Sequence, residues 1–276
     1  MIWLNGVLRA ADNALSAQDR GVLLGESVFE TLLVLSAVPQ FWQAHLARLA
    51  TACQAFDLDN PYDAAALQDA ARALLDAHEA AARLVLRLSL TGGGGDGRGG
   101  RGLVPQEKSR ANVMMHINPA PPRMDTMRLA DCSVQRFAGA ASSAHKTGAY
   151  LDNIMARKQA LAVGADEAVM ANQHGRIACA AAGNIFIARG THLLTPPVSE
   201  GALPGIIRNA LLDMGAVAGW QIGEALLDAN ALQQADAIFV TNSLHGVSAA
   251  AYGDITPTQK KQGHALNEAL PKFLDF

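Results

Sequence analysis

One lysine stands out among the residues of this chain that could form a covalent bond with a substrate or cofactor. Lys146 follows a run of small residues over 139–144 and directly precedes a segment with helical spacing. An amine in such apolar surroundings loses its proton more readily than one in water, and imine formation requires a neutral amine. A surface loop lysine is the alternative, and the immediate surroundings of Lys146 alone favour it.

The elements that would position this lysine alternate between strands and helices. Before residue 118, strand patterns lie at 2–4, 32–35, 84–90 and 112–117, and helical spacing lies at 44–56 and 64–82. After the proline-rich stretch, helical patterns lie at 151–163 and 206–214, and strand patterns lie at 167–171, 184–188 and 237–241. The sequence therefore predicts an α/β (α+β) fold of two domains. A smaller N-terminal α/β domain over 1–118 and a linker over 119–123 precede a larger, β-rich α/β domain over 124–276.

Composition argues against several classes of partner. The 276 residues are 50% hydrophobic and carry a net charge of −3, which disfavours nucleic acid or an anionic membrane as a main partner. No run approaches the ~20 apolar residues of a membrane span, and the N-terminus lacks a signal-peptide layout. The cysteines Cys53, Cys132 and Cys179 form no CxxC pair, and the histidines are scattered. We therefore expect a cytoplasmic protein without a disulfide framework or a metal site.

The segment that starts at Lys146 resembles the cofactor-lysine segment of fold-type IV pyridoxal phosphate (PLP) enzymes. Residues 146–157 read Lys-Thr-Gly-Ala-Tyr-Leu-Asp-Asn-Ile-Met-Ala-Arg, and residues 164–168 read Gly-Ala-Asp-Glu-Ala. This class contains branched-chain aminotransferases, D-amino acid aminotransferases and 4-amino-4-deoxychorismate lyase. The resemblance implies the two-domain fold of the class, with Lys146 as the catalytic residue that carries PLP as a Schiff base.

Further segments resemble the same class in the same order along the chain. They are Asp-Arg-Gly at 19–21, Gly-Glu-Ser-Val-Phe-Glu-Thr at 25–31, His-Leu-Ala-Arg-Leu at 45–49, Thr-Pro-Pro at 195–197 and Gly-Ala-Leu-Pro-Gly-Ile-Ile-Arg at 201–208. The resemblance implies a PLP-binding C-terminal domain. The cofactor contacts that it implies, besides Lys146, are Arg48, Tyr150, Cys179, Gly205, Ile206, Ile207, Asn242 and Ser243.

Elementary chemistry agrees with two of these roles. The forked guanidinium of Arg48 suits a phosphate group. Residues 205–207 lie where a loop becomes a helix, and the backbone N–H groups and dipole of a helix start favour an anion. Other interpretations stay open, with Arg48 on a helix surface and Tyr150 as a structural tyrosine. Asn242 and Ser243 could equally form an ordinary turn after a strand.

Cys179 departs from the pattern of the class. Most members have an acidic residue five positions before the asparagine of an Asn-(Ile/Leu)-Phe strand, and its carboxylate pairs with the pyridine nitrogen. Here that strand starts at Asn184, and Cys179 occupies the acidic position. A thiol with a usual pKa of about 8.5 is a poor partner for a pyridinium, so the cofactor should be a weaker electron sink. Three interpretations follow: the ring stays neutral and favours elimination, an acid from another segment substitutes, or the chain is a weakened paralogue.

Several features bear on the choice between lyase and aminotransferase. The chain length and the alanine-rich run before Asn184 resemble the aminodeoxychorismate lyase branch. In contrast, Phe-Glu-Thr at 29–31 looks more like the aminotransferase form, and Leu33 stands where the lyase pattern tends to have a basic residue. Neither set of features decides the question alone.

The preferred hypothesis is a lyase that converts 4-amino-4-deoxychorismate to 4-aminobenzoate and pyruvate for folate synthesis. Thr31 is a candidate substrate residue, as are Arg98 and Arg101 of the glycine-rich loop at 92–102, where Arg110 could join them against a dianion. A flexible, solvated loop is the alternative. Aminotransfer on D-amino or branched-chain amino acids, and a weakened or cofactor-free paralogue, are the other hypotheses. The resemblance also implies a homodimer that acts on a small amino substrate.

Overall fold

The computed structural model describes residues 1–12, 14–79, 81–94, 102–104, 110–253 and 260–269. The chain forms two compact units. Among the described residues, the first comprises those of Met1–Pro121 and Lys146–Ala149, and the second comprises those of Pro122–His145 and 150–269. Lys146 therefore belongs to the first unit, although the chain on both sides of its short segment belongs to the second.

The first unit is built on one antiparallel sheet. Its strands are β1 (Ile2–Leu4), β2 (Val7–Arg9), β3 (Ser27–Leu35), β4 (Val38–Pro39), β5 (Arg83–Thr91) and β6 (Asn112–Pro119). Its helices are α1 (Arg20–Leu24), α2 (Trp42–Ala55) and α3 (Ala64–Asp76). Within the described ranges the six strands lie in the order β2-β1-β6-β5-β3-β4.

One face of this sheet carries the core of the unit. Along α2, Trp42, Leu46 and Leu49 recur at helical spacing and are buried. They join a cluster that includes Leu32 of β3 and Leu86 of β5, both fully buried. Since successive side chains of a strand point to opposite faces, the odd-numbered residues of β3 and β5 lie on the other face of the sheet.

The Lys146 segment is extended and pairs with the first half of β3. Thr147 forms a bridge with Val28, and the Phe29 N–H donates to the Lys146 carbonyl oxygen at 3.0 Å. A Cβ at Gly148 would lie 2.0 Å from Ser27 Oγ. Glycine at this position therefore allows the two backbones to approach closely enough to fix the lysine beside the strand.

The second unit is built on a mixed sheet. Its strands are β7 (Thr126–Asp131), β8 (Glu167–Ala171), β9 (Ile177–Ala180), β10 (Asn184–Arg189), β11 (His192–Thr195), β12 (Ala216–Val217), β13 (Trp220–Glu224), β14 (Ala237–Asn242) and β15 (Gly246–Tyr252). Its helices are α4 (Ala141–Ala144), α5 (Leu151–Ala162), α6 (Ile206–Met214), α7 (Ala229–Gln233) and α8 (Lys260–Ala269). Among the described residues the nine strands lie in the order β12-β13-β11-β10-β14-β15-β7-β8-β9.

Small residues pack α5 onto this sheet. Ala156 and Ala160 of α5 are fully buried in a cluster with Met170 of β8 and with Ala178 and Cys179 of β9. The alanine-rich composition thus brings the helix close to the strand that carries Cys179. The helix predicted over 206–214 is confirmed as α6, and the mixed architecture agrees with the predicted α/β class.

Among the described residues, no helix combines the length and the apolar character that a membrane crossing requires.

Candidate active site

Glu30, His45 and Arg48 form a buried polar cluster in the first unit. Arg48 Nε donates to Glu30 Oε1 at 2.8 Å, and Arg48 Nη2 donates to Glu30 Oε2 at 2.6 Å. His45 Nδ1 lies 2.6 Å from the same Oε2. His45 and Arg48 are one helical turn apart on α2, so both reach the same strand residue. The phosphate-binding role of Arg48 stays a prediction.

Burial, hydrogen bonds and neighbouring charges set the protonation states of Glu30 and His45. Burial alone would raise the pKa of Glu30, but hydrogen bonds and charge from Arg48 and His45 outweigh burial and lower it to about 2. Burial holds the pKa of His45 below its usual value, although the Glu30 contact opposes this, and the charges of Arg48 and Lys146 also lower it. At neutral pH the cluster therefore contains one carboxylate, one guanidinium and a neutral imidazole.

Lys146 shares an aromatic neighbour with Arg87. Lys146 Nζ lies 4.3 Å from the centroid of the Phe29 ring, and Arg87 Cζ lies 3.6 Å from it. Thr31 pairs with Arg87 across β3 and β5, which places all three side chains on the face of the sheet opposite the core. This unit thus presents an amine, a hydroxyl and a guanidinium together, an arrangement suited to a substrate that carries a carboxylate.

Arg87, Glu30 and His45 were not among the site residues that the sequence predicted. A signal for Arg87 existed, because a charged residue in the leucine-rich run 84–90 must leave the core face or find a partner. The same holds for Glu30 within the apolar run of β3. Strand alternation places Arg87 on the same face of the sheet as Thr31. It places Glu30 on the core face, where α2 supplies the partners of Glu30.

In the second unit, the residues around the start of α6 are held by Asn184. Asn184 Nδ2 donates to the Leu203 carbonyl at 2.8 Å, and a Cβ at Gly205 would lie 2.0 Å from Asn184 Oδ1. Gly205 is the N-cap of α6, and no described side chain caps the helix. The first N–H groups of an α-helix have no partner within the helix, so those of Ile206 and Ile207 are suited to an anion. Anion binding by these residues stays a prediction.

The end of β14 lies beside the same start of β10. Thr241 pairs with Asn184, and Asn242 Nδ2 donates to the Ala182 carbonyl at 3.3 Å. Asn242 Oδ1 accepts hydrogen bonds from the two backbone N–H groups at 244 and 245, which is a turn arrangement. Ser243 is half-buried within that turn. The second unit thus brings Gly205, Asn242 and Ser243 to segments linked through Asn184.

Buried Thr241 is a further polar residue here that the list of predicted sites did not contain. Its side-chain oxygen is enclosed and has no hydrogen-bond partner in the described part of the chain. Buried hydroxyl groups are almost always satisfied in native proteins. Thr241 Oγ1 therefore fits one further polar group, such as an oxygen atom of a bound phosphate.

Cys179 lies in β9 and is 5% exposed. Burial raises the pKa of its thiol to about 11, with a smaller opposing effect from Arg136. The group is therefore a neutral thiol at physiological pH. It cannot supply the negative charge that a pyridinium would need.

Glu167 is the acid that acts electrostatically on Cys179. Its Oε2 accepts from Arg157 Nη1 at 2.7 Å and its Oε1 accepts from the Ala168 N–H at 2.9 Å. Burial raises its pKa, while Arg157 and the backbone N–H groups of Ala168, Ala181 and Ala182 oppose the shift. These partners already engage both oxygens of the carboxylate, so Glu167 is poorly suited to replace the missing acid.

The remaining predicted residues are only partly placed. Tyr150 precedes α5 as its N-cap and is half-buried. Arg98 and Arg101 lie outside the described residues. Arg110 is exposed. The substrate role of the two loop arginines therefore stays a prediction.

Known proteins resemble this chain over most of its length. Residues 27–251 match the family model described as amino-transferase class IV. A protein of Methanocaldococcus jannaschii, provisionally named a branched-chain-amino-acid aminotransferase, is 28% identical over 270 residues, which are 96% of this chain and 89% of that protein. The aminodeoxychorismate lyase of Bacillus subtilis is 26% identical over 88% of this chain and 83% of its own length.

A solved structure extends the likeness to the fold. The crystal structure of 4-amino-4-deoxychorismate lyase from Pseudomonas aeruginosa aligns with a TM-score of 0.84 and 25% identity, and the alignment covers 100% of both chains. A family model that matches most of the sequence, together with this agreement of fold, identifies a PLP-dependent enzyme. The chain belongs to the class IV amino-transferase family.

Proposed function

We propose that this chain is a cytoplasmic lyase that converts 4-amino-4-deoxychorismate to 4-aminobenzoate and pyruvate, a step of folate synthesis. The observation that carries the proposal is the buried, neutral thiol of Cys179 at the position where most of the class has an acid. Without a carboxylate opposite the pyridine nitrogen, the cofactor withdraws electrons less strongly. Elimination demands less of the cofactor than transamination does, because formation of the aromatic ring drives the reaction. The likeness to the Pseudomonas aeruginosa lyase over both whole chains supports the same proposal.

The proposed reaction needs residues that hold the cofactor, bind its phosphate and orient the substrate. PLP supplies an electron sink when it is bound. Lys146 would hold the cofactor, and its amine, once the substrate amine has displaced it, would remove a proton from the substrate carbon. Within the first unit, Arg48 is suited to bind a phosphate through a fixed charge. Within the second unit, the first amides of α6 are suited to bind an anion through helix N–H groups. Thr31 and Arg87 lie on the same sheet face as the lysine side chain and orient a substrate carboxylate.

Pyruvate release from 4-amino-4-deoxychorismate tests the proposal. The wild type should release pyruvate and 4-aminobenzoate in equal amounts, and Lys146→Ala should release neither. Lys158→Ala is the matched control, because Lys158 is an exposed lysine on α5, and it should keep the wild-type rate. Release that does not depend on Lys146, or no release by the wild type, would contradict the lyase proposal.

An aminotransferase acting on D-amino or branched-chain amino acids is the second candidate. The relative from Methanocaldococcus jannaschii, which covers 96% of this chain, favours it, as does Phe-Glu-Thr at 29–31. This function predicts that an amino donor such as D-alanine or L-glutamate converts bound PLP to the pyridoxamine form. A spectrophotometric half-reaction would show this change, and an unchanged spectrum would exclude the donors tested. A weakened paralogue would bind PLP and give neither result, whereas family membership opposes a cofactor-free protein.

We also infer a homodimer. Leu151, Ile154 and Met155 share one face of α5 and are 68%, 48% and 42% exposed. Three large apolar side chains on one exposed face are typical of a surface that another chain covers. Light scattering coupled to size exclusion should give twice the chain mass for the wild type, and Ile154→Asp should lower it. A monomeric wild type would contradict this inference.

A further inference from the structure

Arg48 is held from one side by Glu30, through a contact that fixes both its position and its plane. Two nitrogens of the guanidinium meet the two carboxylate oxygens at 2.8 and 2.6 Å. Paired contacts of this kind define the orientation of the planar group much more tightly than a single contact does. Because Glu30 lies within β3 and is 1% exposed, the orientation of Arg48 is set by a rigid element of the sheet.

His45 completes the cluster as a donor. Its Nδ1 contacts the carboxylate oxygen that Arg48 Nη2 also contacts. An ionised carboxylate can only accept, so the proton of a neutral imidazole lies on Nδ1, and Nε2 carries a lone pair. The cluster therefore has no net charge of its own, while the guanidinium keeps its full positive charge.

His45 Nε2 and Thr147 Oγ1 are buried polar atoms on this side of the sheet, and neither has a hydrogen-bond partner within the described residues. Thr147 pairs with Val28, and Val28 lies on the same face of β3 as Glu30, two residues further on. Unsatisfied buried polar atoms are rare in native proteins, so the surroundings of the cluster are suited to one more polar group.

We propose that Glu30 and His45 are positioning residues for Arg48, which hold its guanidinium in one orientation to receive the phosphate of the cofactor. The inference rests on the proposed role of Arg48. A mobile arginine loses much rotational freedom when it binds an anion. An arginine that is already fixed loses little, so Glu30 and His45 raise phosphate affinity without touching the phosphate.

A comparison of PLP with pyridoxal tests this role, because pyridoxal lacks the phosphate and keeps the aldehyde. For Arg48→Ala, the dissociation constant of PLP should rise ~100-fold, whereas that of pyridoxal should change by less than ~3-fold. Glu30→Gln keeps the shape but removes the charge, and it should weaken PLP binding ~10-fold with pyridoxal again unchanged. His45→Gln should act in the same direction by ~3-fold. Arg189→Ala, at an exposed arginine, is the control and should change neither constant.

The double variant Glu30→Gln/Arg48→Ala separates positioning from a general loss of structure. If Glu30 acts through Arg48, the double variant should bind PLP no more weakly than Arg48→Ala does. Equal weakening of PLP and pyridoxal by Glu30→Gln, or full additivity with Arg48→Ala, would overturn the positioning role. If Glu30→Gln does not fold, the same criteria apply to His45→Gln. A wild type that binds neither aldehyde would instead contradict the proposed function, and the inference would fall with it.

Discussion

Glu30 in the first unit and Glu167 in the second are both buried glutamates beside an arginine, yet their pKa values move in opposite directions. Glu30 receives two contacts from Arg48 and one from His45, and its pKa falls to about 2. Burial dominates at Glu167, whose pKa rises, because its partner Arg157 is 38% exposed and screened by solvent. The first unit thus contains a buried carboxylate that stays ionised, whereas burial in the second unit favours the protonated form of Glu167.

The two units would bind an anion in different ways under the proposed function. In the first unit the Arg48 guanidinium would supply the charge, and its position depends on Glu30 and His45. In the second unit the backbone amides at the start of α6 would supply hydrogen bonds, and their position depends on close packing of small residues. Variants that change charge should therefore damage the first region, and variants that add volume should damage the second.

Removal of the buried carboxylate should have the largest effect. Glu30→Ala leaves the Arg48 guanidinium, 11% exposed, without its counter-charge, and it should lower the free energy of unfolding by about 3–5 kcal/mol. Glu167→Ala should cost about 1–3 kcal/mol, since its arginine reaches solvent. Urea unfolding of both variants measures the difference. A larger loss for Glu167→Ala would reverse the comparison.

Acid should destabilise the protein through the Glu30 cluster. The unfolded chain protonates Glu30 near its ordinary pKa of 4.5, whereas the folded chain does so at about 2. The unfolded state therefore binds more protons in this window, and stability on the order of 3 kcal/mol is lost as the pH falls through it. The lowered pKa of His45 acts in the same direction below 6.5. Urea unfolding at decreasing pH should show a shallower loss for Glu30→Gln than for the wild type, and equal slopes would count against the cluster as the source.

Added volume at the start of α6 should have a smaller effect that does not depend on pH. A Cβ at Gly205 would lie 2.0 Å from Asn184 Oδ1, so Gly205→Ala must displace the side chain that holds this loop. We expect a loss of about 1–2 kcal/mol in stability and weaker binding of PLP but not of pyridoxal. Gly223→Ala is the control, because its Cβ would meet Leu194 at an ordinary 3.9 Å. If the two variants behave alike, the start of α6 tolerates the displacement of the Asn184 side chain, contrary to this prediction.

Restoring an acid at position 179 should produce the smallest change in free energy. Cys179→Glu places a carboxylate where most of the family has one, and it should speed the half-reaction with an amino donor about tenfold. Pyruvate release from 4-amino-4-deoxychorismate should change little. Cys179→Ser is the control, since it keeps a small neutral group. An unchanged half-reaction would mean that the neutral thiol does not set the balance between the two reactions.

The sequence predicted the elements better than it predicted the contacts within the site. The helix at 206–214 and the strand that ends near Asn242 follow from local spacing and turn residues, which short-range physics determines. Glu30 and Arg87 look alike in this respect, since each is a charged residue in an apolar strand. Only strand pairing and the position of α2 distinguish a buried carboxylate with two partners from a guanidinium on the opposite face of the sheet. Such long-range placement cannot be read from spacing alone.

In the proposed enzyme Lys146 forms the covalent link to PLP, and borohydride reduction tests this link most directly. Purified wild-type protein should lose its visible absorbance irreversibly, and peptide mass spectrometry should locate the reduced cofactor on Lys146. The Lys146→Ala variant should lose this label, whereas Lys158→Ala should keep it. A label on another lysine, or equal labelling of the Lys146→Ala variant, would contradict the account.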